Sequence, residues 1–326
     1  MNSKTKATLL KTVLAFALVF VLFVSIDIDF RQVVQLIKNL DGLYLALSLP
    51  GVLLVLFFKS IRWNELLKQT GIPISRYKSF ASYMSAYSIG ILTPGRVGEF
   101  VKVYNVRIQK EVTFLEAFKS VLADRLFDFV CLIMLGLAAF FAIHFSLNMY
   151  NGIALYIGFQ LVGILGVFFI FHLLHFFRVR YTFLQKPLIS MVYDSLHYLF
   201  TYKSIALWVL TWLAYLTYFV FLRFLLLAFG IQVSFIGIMN SMSLLSLVLL
   251  IPITLAGFGQ RELSLVYLLG LYGVSAEIAV AFSLMQFALY FLWGGLAGLV
   301  FLVLNPIPIR VILEDVKQIK LFFLKK

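Results

Sequence analysis

Five charged residues stand beside prolines and glycines in two short segments of an otherwise apolar chain. The first segment reads Thr93-Pro94-Gly95-Arg96-Val97-Gly98-Glu99, with Lys102 a turn further on. The second opens at Pro252 and ends Gly257-Phe258-Gly259-Gln260-Arg261-Glu262. In each, a proline ends a helix, glycines permit a tight reversal, and Arg and Glu mark a new helix start. The helices that follow, about 98–108 and 261–271, aim free N–H groups and a positive dipole end at the reversal, which suits an anion. A guanidinium adds a planar fork that matches phosphate. Arg96, Lys102 and Arg261 are therefore the candidate ligand cations, and Glu99 and Glu262 either hold the arginines or compete for them. The competing reading is two solvated loops whose Gly and Pro only make turns.

Other chemistry has little to work with. The segment 94–99 is no phosphate-binding P-loop, because no Gly-Lys-Ser/Thr follows it. There is no Ser-His-Asp set, zinc motif or nucleotide fingerprint, so no catalytic residue, metal or cofactor is expected. His172 and His175 stand three apart without a carboxylate or cysteine beside them. The single cysteine, Cys131, lies in an apolar run and has no partner for an intramolecular disulfide. Asp124, Arg125 and Asp128 fall one turn apart where a helix enters an apolar run, and an anchoring ion pair suits them better than chemistry.

The elements that must carry these residues are membrane helices. Hydrophobic residues make up 63% of the 326 positions and charged ones 13%, against about 25% charged in soluble domains. Apolar runs of about 20 residues match a hydrocarbon core of about 30 Å. The ten-residue alternation of a spanning barrel is missing. Six full spans are expected, near 7–26, 43–58, 126–145, 152–177, 204–229 and 276–304, with shorter apolar stretches near 79–93, 235–253 and 263–273. The net charge of +13 is spread between apolar runs, which fits membrane loops and anionic headgroups and argues against nucleic acid.

Loop charges set an orientation. Residues 27–42 carry three acids against two bases, and 59–80 carry five bases against one acid. Residues 178–203 and the tail 305–326 each carry a net +3. Both termini are therefore expected in the cytoplasm. The chain must enter and return on the cytoplasmic side over about 79–110, and on the outer side over about 235–273. The expected fold is all-α: a polytopic membrane protein of six spans plus two opposed re-entrant helical hairpins in an inverted-repeat arrangement. It forms a single domain over 1–326, with repeat halves of about 1–145 and 150–304 and a basic tail. Gly294 and Gly298 give a close-packing spacing, and 187–203 reads as an interfacial helix.

Four motifs recur in order: Ile61-Arg62-Trp63; Pro94-Gly95-Arg96-Val97-Gly98-Glu99 with Lys102; Asp124-Arg125-Leu126-x-Asp128; and Pro252 with Gly257-x-Gly259-x-Arg261-Glu262. Together they resemble the flippase-like transmembrane domain of lysylphosphatidylglycerol synthases of the multiple peptide resistance type, and its stand-alone relatives. Lys102 stands where that family often has Arg, and Asp124 where it often has Glu. The resemblance implies the lipid-handling membrane part, with Arg62, Trp63, Asp124, Arg125 and Asp128 as supporting residues. It does not carry over synthase activity, since no aminoacyl-transfer segment is found before Lys326.

The expected function is a lipid flippase or lipid-headgroup transporter of the cytoplasmic membrane, binding an anionic or lipid-linked headgroup between the two tips. The alternative is a membrane subunit or intramembrane enzyme of envelope lipid or glycolipid synthesis. The expected partners are membrane lipids: phospholipid, aminoacyl lipid or polyprenyl-phosphate-linked. An envelope-synthesis enzyme and a second copy of the chain are further possible partners.

Overall fold

In hydrocarbon a backbone must satisfy its own N–H and C=O groups, and coiling into helices does so locally. The computed structural model of the protein describes residues 28–91, 93–110, 112–145, 149–180, 187–200, 203–251, 254 and 257–305. No β-strand occurs among them. The helices are α1 (Phe30–Lys38), α2 (Gly42–Ser48), α3 (Gly51–Gln69), α4 (Arg76–Ile91), α5 (Lys102–Gln109), α6 (Phe114–His144), α7 (Met149–Arg180), α8 (Pro187–His197), α9 (Ser204–Ala228), α10 (Phe235–Leu250), α11 (Gln260–Gly270), α12 (Ala276–Phe287) and α13 (Gly294–Leu304). A π-helical turn, Ala288–Trp293, joins the last two. The protein is an all-α, polytopic membrane protein.

Five stretches among the described residues are long and apolar enough to cross a membrane: Gly42–Gln69, Phe114–His144, Asn151–Leu173, Ser204–Ala228 and Ala276–Leu304. They coincide with five of the six expected spans; the sixth, 7–26, lies outside the described residues. Two run further than their apolar cores suggest. The 43–58 span continues to Gln69 and the 126–145 span starts at Phe114, and Arg62 on the first extension pairs with Asp124 on the second.

The acidic segment before the second span is also more ordered than its charge suggests. Asp29 accepts from the backbone N–H groups of Arg31 and Gln32 and caps α1. Asp41 does the same for Leu43 and Tyr44 at the start of α2. Each cap satisfies donors that the first helical turn leaves without a partner.

The chain forms two compact units. One comprises Met1–Val52, Leu132–Leu161 and Leu216–Trp293. In it α1 lies on α12, burying Val33 with Val280 and Ala281. Helices α10 and α11 form a hairpin, tied by Ser241 Oγ donating to the Leu268 carbonyl at 3.3 Å. The other unit comprises Leu53–Cys131, Val162–Tyr215 and Gly294–Lys326. Its hairpin runs α4, a 3₁₀ segment at Pro94–Val101, then α5. Helix α13 packs on α4 so closely that a methyl at Gly298 would sit 2.4 Å from the Met84 carbonyl oxygen. The stretch 187–203, expected as an interfacial helix, forms α8 over Pro187–His197, where Asp194 meets Lys119 at 2.7 Å and Tyr193 stacks on Phe171.

Candidate functional site: two buried ionic clusters

The first cluster belongs to the α4–α5 unit. Helix α3 presents Lys59, Arg62 and Trp63 on one inward stripe, and α6 presents Asp124 and Asp128 one turn apart. Arg62 donates from Nε and Nη2 to Asp124 Oδ1, at 2.9 and 2.7 Å. Its Nη1 reaches Asp128 Oδ1 at 2.8 Å and Thr211 Oγ1 at 2.9 Å. Lys102 donates to Asp124 Oδ2 at 2.8 Å, and the Tyr83 hydroxyl adds a bond to that oxygen at 3.2 Å. Lys59 donates to Asp128 Oδ2 at 2.8 Å. The result is an alternating ladder, Lys102–Asp124–Arg62–Asp128–Lys59. Every carboxylate oxygen has a charged donor, which is what makes such burial tolerable.

Aromatic faces complete the enclosure. The Lys102 ammonium lies 4.0 Å from the Tyr83 ring centroid and 5.2 Å from that of Trp63. The Lys59 ammonium lies 5.2 Å from the Tyr215 ring centroid. Cations over ring faces gain quadrupole attraction that water would otherwise screen.

The first tip rests on α4 beside this ladder. The Thr93 hydroxyl accepts from the Gly98 N–H at 2.7 Å, and a methyl at Gly98 would meet the Ile89 carbonyl oxygen at 2.6 Å. Glu99 crosses Gly90, where a methyl would overlap it, and pairs with Arg125. The reversal is a 3₁₀ segment, and the α-helix expected from about 98 begins at Lys102. The close seat of Gly98 on the Ile89 carbonyl accompanies this tighter winding. The backbone of Pro94, Gly95 and Arg96 lies in that segment, while their side chains are outside the described set.

The second cluster belongs to the other unit. Gly257 and Gly259 both have φ of +76°, a left-handed conformation that a side chain would strain. Gln260 donates to the carbonyls of Val248 and Ile251, at 2.7 and 3.2 Å, and so closes the end of α10. Arg261 donates from Nη2 to Glu262 Oε1 at 2.8 Å and from Nε to Ser283 Oγ at 2.8 Å. The Ser283 hydroxyl in turn donates to that Glu262 oxygen at 2.7 Å. Glu262 Oε2 accepts the Gly259 N–H at 2.6 Å. The guanidinium carbon lies 5.0 and 5.5 Å from the ring centroids of Phe287 and Phe258. Arg261 and Glu262 are both buried. Nη1 makes no hydrogen bond among the described residues. Pro252 lies outside the described residues.

The structure thus joins Lys102 to Arg62, Trp63, Asp124 and Asp128, and joins Glu99 to Arg125. It joins Arg261 to Glu262, as the sequence suggested. Sequence reasoning missed Lys59, Tyr83, Thr211, Tyr215 and Ser283. Lys59 had a legible signal, since it stands three residues before Arg62 at the end of an apolar run. The others are uncharged residues of apolar helices and carried none.

No solved structure matches the chain. Over 144 residues it is 25% identical to the glycosyltransferase AglD of Haloferax volcanii, a match covering 41% of this chain and 22% of that protein. The chain therefore spans well under two thirds of that relative. The family model of the lysylphosphatidylglycerol synthase transmembrane region matches residues 9–298, and the chain belongs to this family.

Proposed function

We propose that this protein moves a lipid across the cytoplasmic membrane by binding its phosphate-bearing headgroup at the charged tips. The observation that carries the reading is Arg261, buried at a break between two helices, with Glu262 and Ser283 on two nitrogens and no hydrogen bond on the third among the described residues. A headgroup left unpaired in hydrocarbon costs several kcal/mol for each polar group, and a guanidinium reduces that cost. In this reading Arg96 serves the first tip as Arg261 serves the second. Glu262 shields Arg261 while no ligand is bound. The two hairpins are re-entrant members of an inverted repeat, and both termini face the cytoplasm.

A second reading draws on the kinship with a glycosyltransferase: the chain serves an enzyme of envelope glycolipid synthesis, as its membrane subunit. Purified protein in liposomes, offered fluorescent phospholipid, aminoacyl-lipid and polyprenyl-phosphate-linked probes, separates the two. Translocation of any probe above that of empty liposomes is expected. No translocation of any of them, by well-inserted protein, would overturn the transport reading in favour of the second.

A further inference from the structure

Ser283 and Gln286 stand three residues apart on α12. Their side chains share one face of the helix, about 4.5 Å apart along its axis. Ser283 is the group that receives Arg261 Nε at 2.8 Å. Gln286 is therefore the next polar side chain along from the second cluster, within the same compact unit. Its Nε2 donates to the Tyr218 hydroxyl of α9 at 2.7 Å. The winding turns π-helical at Ala288, and Tyr290 of that turn meets the Tyr218 ring edge-on, with centroids 5.2 Å apart. Gln286 and Tyr290 thus meet the same tyrosine, and a polar stripe runs along α12 from Arg261 through Ser283 to Gln286.

The stripe ends on an acceptor without a donor. Gln286 is 6% exposed, and its Oε1 is buried and makes no hydrogen bond among the described residues. A buried carbonyl oxygen left in this state is costly. An amide that served only to tie α12 to α9 would not need it. The donor that fits is a neutral one. A buried ammonium would require a carboxylate as well. Glu262 is the one buried carboxylate among the described residues of this unit, and its oxygens already accept from Arg261, Ser283 and the Gly259 N–H. A hydroxyl needs the acceptor alone.

We propose that Gln286 selects the headgroup: its Oε1 accepts a hydroxyl of a phosphate lipid whose phosphate is held by Arg261, one turn away. The substrate class is then a lipid with a hydroxylated headgroup, glycerol or sugar, and not one with an ammonium headgroup. Tyr218 positions the amide from the Nε2 side. This inference deepens the transport reading and rests on Arg261 as the phosphate site.

The test is equilibrium binding to the full chain in detergent, by titration calorimetry. Dihexanoyl phosphatidylglycerol and dihexanoyl phosphatidylpropanol carry the same charge and the same three-carbon headgroup, and differ only in the glycerol hydroxyls. Dihexanoyl phosphatidylinositol offers a ring of hydroxyls, and glycerol 3-phosphate offers them without acyl chains. Wild type should bind the glycerol lipid about three- to ten-fold more tightly than the propanol lipid, the worth of one hydrogen bond. Q286M should lose this preference and keep its affinity for the propanol lipid, which also shows that it is folded. Q286N, with its amide one methylene short, should lose the preference too, and it keeps the test open if Q286M folds poorly. R261A should weaken both lipids alike. Tighter binding of the inositol lipid than of the glycerol lipid would support a sugar headgroup, and the opposite order glycerol. Wild type that does not distinguish the glycerol and propanol lipids would overturn the proposal, as would a preference that survives in Q286M or Q286N. Glycerol 3-phosphate binding as tightly as the glycerol lipid would overturn the assignment to a lipid. Propanol-lipid affinity unchanged in R261A would sink the phosphate reading of Arg261, whereas affinity lost in R261A without any hydroxyl preference would sink the role of Gln286 alone.

Discussion

Arg62 holds Asp124 with two nitrogens on one oxygen, Nε at 2.9 Å and Nη2 at 2.7 Å, across 62 positions of sequence. With Nη1 on Asp128, this one side chain bridges α3 to two turns of α6. Removing one partner of a buried pair costs about 3–5 kcal/mol, because the other charge is left in low dielectric. Arg62→Ala should therefore lower the melting temperature in detergent more than any other single change in the ladder. Arg62→Lys should recover only part, since one ammonium lacks the fork that spans both aspartates. A melting temperature unchanged in Arg62→Ala would show that the ladder does not hold these helices together.

Two glycines should respond in opposite ways to the same substitution. At Gly298 an added methyl meets the Met84 carbonyl oxygen at 2.4 Å, a backbone atom that cannot swing aside. Overpacking of that kind costs about 1–3 kcal/mol. At Gly158, on α7, nothing lies within 4 Å of such a methyl, and alanine gains roughly 0.8–1.0 kcal/mol of helix propensity. Gly298→Ala should melt earlier and Gly158→Ala no earlier than the parent, in matched detergent. Equal stability of the two variants would contradict the close packing of α13 on α4.

The spans were legible because lipid demands continuous apolar runs, and five of the expected ones coincide with long apolar helices. Charge was read less well. Lys59 and Arg62 counted as cytoplasmic loop charges, yet both lie within the stretch Gly42–Gln69 and face carboxylates on α6. Pairing over 62 or more positions of sequence leaves no local pattern. Asp29 and Asp41 counted as outer charges, and each also caps a helix. The tips were legible from Pro and Gly, but their glycines act differently. Gly257 and Gly259 supply positive φ, whereas Gly98 supplies close approach to a carbonyl, and the residue name alone does not distinguish these uses.

Orientation is open to direct measurement. Without Lys59 and Arg62, the segment 63–80 still carries Lys68, Arg76 and Lys78 against Glu65, so its sign remains positive. A cysteine at Ser75 should react with an impermeant maleimide only after the cells are opened, and one at Leu43 in intact cells. Leu43 is exposed and the native Cys131 is buried, which keeps the background low. Labelling of Ser75→Cys in intact cells would reverse the orientation.

Arg261 and Glu262 allow a sharper distinction, between binding a ligand and bracing a hairpin. The guanidinium gives Nε and Nη2 to Glu262 and Ser283, which leaves Nη1 for an incoming phosphate. A phosphate that takes a second nitrogen must displace Glu262. Losing a charge-assisted bond costs roughly 1.5–3 kcal/mol, so Arg261→Ala should slow lipid translocation about 10- to 100-fold at matched insertion. Arg261→Lys should restore part of it, keeping charge without the fork. Glu262→Gln is the informative partner. Its amide oxygen can still accept the Gly259 N–H that Glu262 Oε2 accepts now, while the competing charge is gone. Binding of an anionic lipid should therefore tighten in Glu262→Gln. Under bracing alone, Arg261→Ala and Glu262→Gln would both melt earlier and neither would change translocation or affinity. Opposite shifts in affinity from these two variants, with stability held, are what ligand binding at Arg261 requires.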